Sequence, residues 1–179
     1  MDVQIVFGIS VLSSLASSAV IAGLYVWPWL RAKDRSTALT LLVAPHMFLR
    51  FLGLSFLVPG VVSPLLSHAF AAPAAYGDFI AGLLAILATA ALKRRASWAM
   101  AAVWIFNLWG TADLFFAFYS EARAGLHPGM FGAAFYIPTA IVPPVLMTHF
   151  LIFGLLLLRR QDQRRDSKLR VSLEANSPV

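Results

Sequence analysis

The 179-residue chain contains no cysteine and little charge, and each shortage excludes a class of protein. Without cysteine there are no disulfides, no thiolate metal ligands and no cysteine nucleophile. Charged residues make up 12% of the chain and hydrophobic residues 60%. A soluble globular domain is about 25% charged and about 45–50% apolar. The composition therefore excludes an ordinary soluble domain and indicates a membrane protein.

Motifs typical of soluble enzymes are also absent. The sequence has no phosphate-binding loop, no dinucleotide-binding glycine fingerprint, no nucleophile elbow and no metal-binding histidine spacing. A net charge of +6 would suit nucleic acid, but no nucleic-acid-binding module is visible. We therefore expect no nucleic-acid partner, assign no catalytic residue, and leave enzyme activity and cofactor open.

Five apolar segments are long enough to cross a bilayer as helices. A hydrocarbon core about 30 Å thick requires about 20 helical residues. The segments cover residues 3–30, 37–58, 76–92, 97–119 and 136–158. The sequence therefore predicts an all-α integral membrane protein, a five-transmembrane-helix bundle forming one domain over residues 1–171. The last residues, 172–179, are expected to be a disordered cytoplasmic tail.

The basic residues predict the orientation of this bundle. Of the 14 lysines and arginines, 12 follow the first, third and fifth segments, at residues 31–35, 93–95 and 159–170. Because lysine and arginine accumulate in cytoplasmic loops, the N-terminus is expected outside and the C-terminus in the cytoplasm. We expect a multi-pass protein of the cell membrane, either a cytoplasmic or an inner membrane.

A few polar side chains fall at membrane depth, where a charge costs about 2.5–3.5 kcal/mol or more and a functional role is the first hypothesis. Depth follows from the helical rise of about 1.5 Å per residue. Three of these side chains share one depth: His46, Asn107 and His149. Two others share a depth nearer the outside: Arg50 and Asp113. Asp78 is placed too near the outer end of the third segment to join them.

Spacing and proline refine the picture of this polar set. His46 and Arg50 are four residues apart and share one helix face, so Arg50 is expected to pair with Asp113 and leave no net charge buried. Pro45 and the pair at 143–144 precede the two histidines and predict kinks in both helices.

Two further patterns concern packing and the outer surface. Gly77, Ala81, Ala85 and Thr89 recur every four residues and predict a close helix contact that places the third helix centrally. The segment 59–75 is apolar but rich in proline, so we expect an interfacial segment or a lid over an outward-facing cavity.

The polar set His46, Arg50, Asn107, Asp113 and His149 is the candidate ligand-binding site. The leading hypothesis is a lipid-like or small amphipathic ligand, held by polar groups within apolar walls. The alternatives are a subunit or assembly partner of a larger membrane complex, a b-type haem between the two histidines, and a small proton-linked transporter component. The bilayer is the expected partner, together with a second copy or another membrane protein.

Overall fold

The computed structural model describes residues 2–157, and regular structure in this range is helical. Five long helices follow one another: α1 Val3–Arg31, α2 Arg35–Leu57, α3 His68–Lys93, α4 Ala99–Ala124 and α5 Ile137–Leu157. Each is long and apolar enough to span a membrane, so the predicted helix number is confirmed. The expected tail at 172–179 and the basic cluster at 159–170 lie outside the described residues.

Two helix ends differ from the sequence-based boundaries. Helix α3 begins at His68 rather than at residue 76, because Pro73 lies within two turns of the helix start and removes only one backbone hydrogen bond. Helix α4 continues past residue 119 to Ala124, where Gly125 ends it in the left-handed conformation with φ of 58°. Much of the segment expected as a loop is therefore the first part of α3.

Prolines accompany irregular turns in three helices, and α2 is in addition 3₁₀-helical over Arg50–Leu57, where it has no proline. A π-helical turn, Ala22–Val26, precedes Pro28 in α1, and the helix breaks at residues 44–45 in α2. A second π-helical turn, Ile137–Ile141, precedes Pro143 in α5. Each proline lacks the N–H that would bond the carbonyl four residues earlier, so the helix rearranges there. Both histidine-bearing helices are irregular, as their prolines predict.

Helix α3 packs against both α2 and α4, as the row of small residues predicts. Gly77, Ala81, Ala85 and Thr89 are all buried, so the neighbouring backbones approach closely. Helix α1 differs, since only Ala22 and Leu30 are buried along its length. The core and its polar groups therefore belong to α2–α5.

At one end of the bundle, the start of α2 meets the end of α5. Arg35 Nη2 donates to the carbonyl of Leu156 at 3.3 Å. Asp34 caps α2 by accepting the backbone N–H of Thr37 at 2.9 Å, and this hydrogen bond lowers the pKa of Asp34. The α1–α2 connection thus ends in an ordered helix start.

At the opposite end, the connections 58–67 and 125–136 hydrogen-bond to each other and form what we call the cap. Ser63 N donates to Met130 O and Ala133 N donates to Val61 O, both at 2.9 Å. Between them Gly132 has a φ of 52°, and a Cβ there would overlap the Val61 carbonyl oxygen. The cap therefore covers this end of α2–α5 and depends on glycine at 132.

Candidate functional site

Arg50 lies at the centre of a buried polar cluster to which α2, α3, α4 and α5 all contribute. Its side chain is 2% exposed. Nη1 donates to Asp78 Oδ1 and, at 3.1 Å, to Asp113 Oδ2. Nη2 donates to the Gly110 carbonyl at 2.7 Å and to His149 Nε2 at 2.9 Å. The expected contact between Arg50 and Asp113 is present, and one arginine holds four helices together.

The sequence-based site wrongly omits Asp78. A third helix beginning at residue 76 would place Asp78 at the membrane surface and outside the polar set. Since α3 begins at His68, Asp78 lies about three turns inside the helix and forms an ion pair with Arg50. The apolar run from residue 69 to 75 is the signal in the sequence that the helix starts earlier.

The hydrogen bonds fix the protonation of His149. A guanidinium can only donate, so His149 Nε2 accepts from Arg50 and carries no hydrogen. The other ring nitrogen, Nδ1, then donates to Asn107 Oδ1 at 2.7 Å, and Asn107 Nδ2 donates to the His149 carbonyl at 3.3 Å. This network assigns a neutral histidine with its hydrogen on Nδ1.

His46 is neutral for a different reason, which is the surroundings of its Nδ1. Its Nε2 lies 2.7 Å from Thr148 Oγ1, and that hydroxyl gives its one hydrogen to the Val145 carbonyl at 2.7 Å. Nε2 must therefore donate to Thr148, and the charge of the ring then depends on Nδ1 alone. Within residues 2–157, Nδ1 is buried without a hydrogen-bond partner. A proton on Nδ1 would create an unpaired buried charge close to Arg50.

The two histidines do not fit a b-type haem. Their rings lie next to each other, 4.7 Å between centroids and tilted by 58°. Axial ligation requires the two rings on opposite faces of a porphyrin, each with a nitrogen directed at the iron. Here one Nε2 bonds Thr148 and the other bonds Arg50. The two histidines lie at the same level of the bundle, as expected from the sequence, but their rings contact each other and leave no space for a porphyrin between them.

Three glycines make room for the cluster. A Cβ at Gly53 would overlap the Asp78 carboxylate, and one at Gly77 would overlap that of Asp113. At Gly110 a Cβ would lie 2.7 Å from His149 Nε2 and 2.8 Å from Arg50 Nη2. From the sequence, Gly77 is identifiable only as a packing residue. The other two give no signal there, because glycine is common in apolar helices and carries no chemistry of its own.

A partly open cavity of about 40 Å³ lies beside the two carboxylates, between the cluster and the cap. Aromatic rings form much of its wall and three acidic side chains line it: Phe56, Phe70, Phe118 and Phe131, with Asp78, Asp113 and Glu121. Within the described range, no basic residue lines this cavity. The enclosed volume is sufficient for water or a small head group, and because the cavity is partly open, the body of a larger ligand would extend out of it.

The carboxylates, and not the arginine, face this cavity. The side chains of Asp78 and Asp113 are 11% and 10% exposed, whereas that of Arg50 is 2% exposed. Asp113 also lines a surface groove between α3 and α4, where Trp109 Nε1 donates to the Gly77 carbonyl at 3.2 Å. The site therefore presents its carboxyl groups to the surroundings, with the guanidinium behind them.

Over residues 2–157 the fold and the cluster together define a class of protein, an all-helical bundle with five membrane-length helices and an ion cluster buried among four of them. The chain belongs to the family described as Domain of unknown function (DUF8737), whose model matches residues 6–157. No curated protein and no solved structure matches the chain. The matched range contains the cluster, the cavity and the cap, so all three belong to the family's domain.

Proposed function

We propose that this chain is a multi-pass protein of the cytoplasmic or inner membrane that binds a small amphipathic ligand through a cationic end. The cavity beside Asp78 and Asp113 is the binding site. The observation that carries the proposal is the lining of this cavity, which combines aromatic walls with acidic side chains. A ligand with a positive head and an apolar body matches both parts of the lining.

The outer surface of the bundle supports the membrane location. Large apolar side chains are exposed on every helix, among them Ile9, Leu24, Leu41, Leu87, Leu108 and Phe150. A soluble monomer rarely exposes apolar patches of this extent, whereas lipid tails cover them in a bilayer. The basic connections α1–α2 and α3–α4 favour an orientation with the N-terminus outside, the C-terminus in the cytoplasm and the cap outside.

The orientation predicts which loop positions react from each side of the membrane. The chain has no cysteine, so single substitutions need no altered background. Ser67 and Ser97 are both exposed and lie in connections at opposite ends of the bundle. In intact cells we expect an impermeant maleimide to label Ser67→Cys, and to label Ser97→Cys only after permeabilisation. The opposite pattern would invert the proposed topology.

Cation binding follows from the charges that the cavity presents. The two carboxylates attract a positive head group, and the phenyl faces of Phe56 and Phe131 add cation–π attraction of about 0.5–2 kcal/mol. Arg50 lies behind the carboxylates and holds them in place through Nη1. An anionic head would instead meet three acidic side chains, so the site discriminates by charge.

The proposal is tested with benzyltrimethylammonium, whose fixed positive charge and single ring match the lining. We expect saturable binding to the purified protein in neutral detergent, measured by equilibrium dialysis with labelled cation. Asp113→Asn is expected to weaken binding at least about tenfold, since losing an ionic contact in a buried site costs more than about 1.4 kcal/mol. Benzenesulfonate, of similar size and opposite charge, is the matched control and is expected not to bind.

Two outcomes would contradict the proposal. The first is equal uptake of cation and anion, which would indicate partition into the detergent micelle. The second is a cation affinity that is the same in Asp113→Asn as in Ser97→Cys, which is a distant, exposed control substitution. Either result would remove the cavity as the binding site.

A further inference from the structure

The charges around the cavity do not balance. The titratable and charged groups that face the site come from every helix packed around it: Arg50 and His46 from α2, Asp78 from α3, Asp113 and Glu121 from α4, and His149 from α5. His149 is neutral because its Nε2 accepts from Arg50, and His46 is neutral because a proton on its buried Nδ1 would meet no acceptor within residues 2–157. Arg50 is therefore the one positive charge among these groups, and its Nη1 contacts both carboxyl groups.

If both carboxyl groups were ionised, the cluster would carry one uncompensated negative charge. An unpaired charge in a low-dielectric interior is costly, and proteins avoid it by binding a proton or a counter-charge. The histidines cannot supply the balance. His149 Nε2 is blocked by the Arg50 donor, and a proton on His46 Nδ1 would have no acceptor among residues 2–157.

We propose that Asp78 and Asp113 together hold one exchangeable proton, and that a cation bound in the cavity displaces it. On displacement the carboxyl O–H bond breaks, the proton leaves to water, and the cation takes over the balancing charge. No other bond changes. The second half of this inference rests on the proposed function, whereas the first half does not.

The geometry provides both a place for the proton and a path to it. Each carboxyl group uses one oxygen to accept from Arg50 Nη1. The second oxygen of Asp78 lies beside Gly53, and that of Asp113 lies beside Gly77. Both side chains line the cavity, which has room for water. A proton on either second oxygen therefore leaves both Arg50 contacts in place, and the cavity brings water next to the two side chains.

The proton itself is tested by infrared spectroscopy of the ligand-free protein in neutral detergent at pH 7. We expect the carbonyl stretching band of one protonated carboxyl group in the wild type, disappearing at higher pH. Asp78→Asn and Asp113→Asn should each abolish the band, because either leaves one carboxylate against one arginine. Glu121→Gln should preserve it, since Glu121 lines the cavity without contacting Arg50.

This pattern separates a shared proton from a proton that belongs to a single carboxyl group. A wild-type protein without the band at pH 7 would overturn the inference, whatever the variants do. Loss of the band in Glu121→Gln would assign the proton to Glu121 and overturn it as well. Loss in one aspartate variant alone would indicate an ordinary protonated carboxyl group on that residue instead of a shared proton.

Displacement by a cation is tested by calorimetry with benzyltrimethylammonium, which has no proton of its own to release. Titrations in two buffers of different ionisation enthalpy should show close to one proton released per cation bound. Affinity should then rise about tenfold per pH unit while the band is at full strength, and it should level off as the band disappears. Asp78→Asn should bind the cation more weakly, and the binding that remains should release no proton.

The outcomes of the two experiments are distinguishable. Binding with no proton release, and no infrared band, contradicts the inference and leaves the proposed function standing. A band that titrates, with no binding of the cation, contradicts the proposed function and the displacement step but leaves the shared proton standing.

Discussion

Arg50→Met is expected to lower the stability of the protein in detergent by about 3–5 kcal/mol, the largest loss from any single substitution in the cluster. Methionine fills similar space but donates nothing, so Asp78, Asp113, the Gly110 carbonyl and His149 all lose a hydrogen-bond donor. Thermal or denaturant unfolding followed by circular dichroism measures the effect.

The matched control is a triple variant that combines Arg50→Met with removal of the two carboxylate charges. Arg50→Met combined with Asp78→Asn and Asp113→Asn leaves no buried charge, so most of the lost stability should return. In the same way, Arg50→Ala and Asp113→Ala should each destabilise, and the double variant should lose less than the sum. Strict additivity of that pair, or a triple variant as unstable as Arg50→Met, would show that the ion pairs contribute little.

Gly110→Ala is expected to be the most damaging change of a residue without a functional side chain. The added Cβ would lie 2.7 Å from His149 Nε2 and 2.8 Å from Arg50 Nη2, so the two side chains must separate or α4 must move. Overpacking of this kind costs about 1–3 kcal/mol, and the lost hydrogen bond adds to it. Unfolding of the purified variant measures the cost, and the ligand-binding assay should show weaker binding.

Gly8→Ala and Gly23→Ala provide controls for helix propensity. Both glycines lie in α1 and an added Cβ would meet nothing within 4 Å. Alanine gains about 0.5–1 kcal/mol over glycine in a helix, so these variants should be as stable as the wild type or slightly more so. If Gly110→Ala were as stable as these two variants, the proposed close contact of Gly110 with Arg50 and His149 would be wrong.

The helix number and the main contact of the site are predictable because they depend on distances along the chain. Apolar length sets the number of helices, and the residue rise sets depth, which places Arg50 level with Asp113. The errors lie at helix ends. Pro73 suggests a break in the sequence although it lies near a helix start, and this one misplaced boundary removes Asp78 from the predicted site.

The detailed contacts could not be predicted because they depend on how each helix is rotated about its axis. A helix that is apolar all round carries no pattern to mark its inward face. The bond from Arg50 to His149, which joins the two expected layers, requires that rotation to be known. The same is true of Gly110, whose importance arises only from what faces it.

The carboxylates of Asp78 and Asp113 are proposed to hold a cation in the cavity under the cap, and the function depends on this contact. The most direct measurement is a crystal structure grown with 4-bromobenzyltrimethylammonium, in which the anomalous signal of bromine locates the ligand. We expect the ammonium group against the two carboxylates, and bromine at the open side of the cavity. Bromine in the groove at Trp109, or no ordered site at all, would contradict cation binding in the cavity.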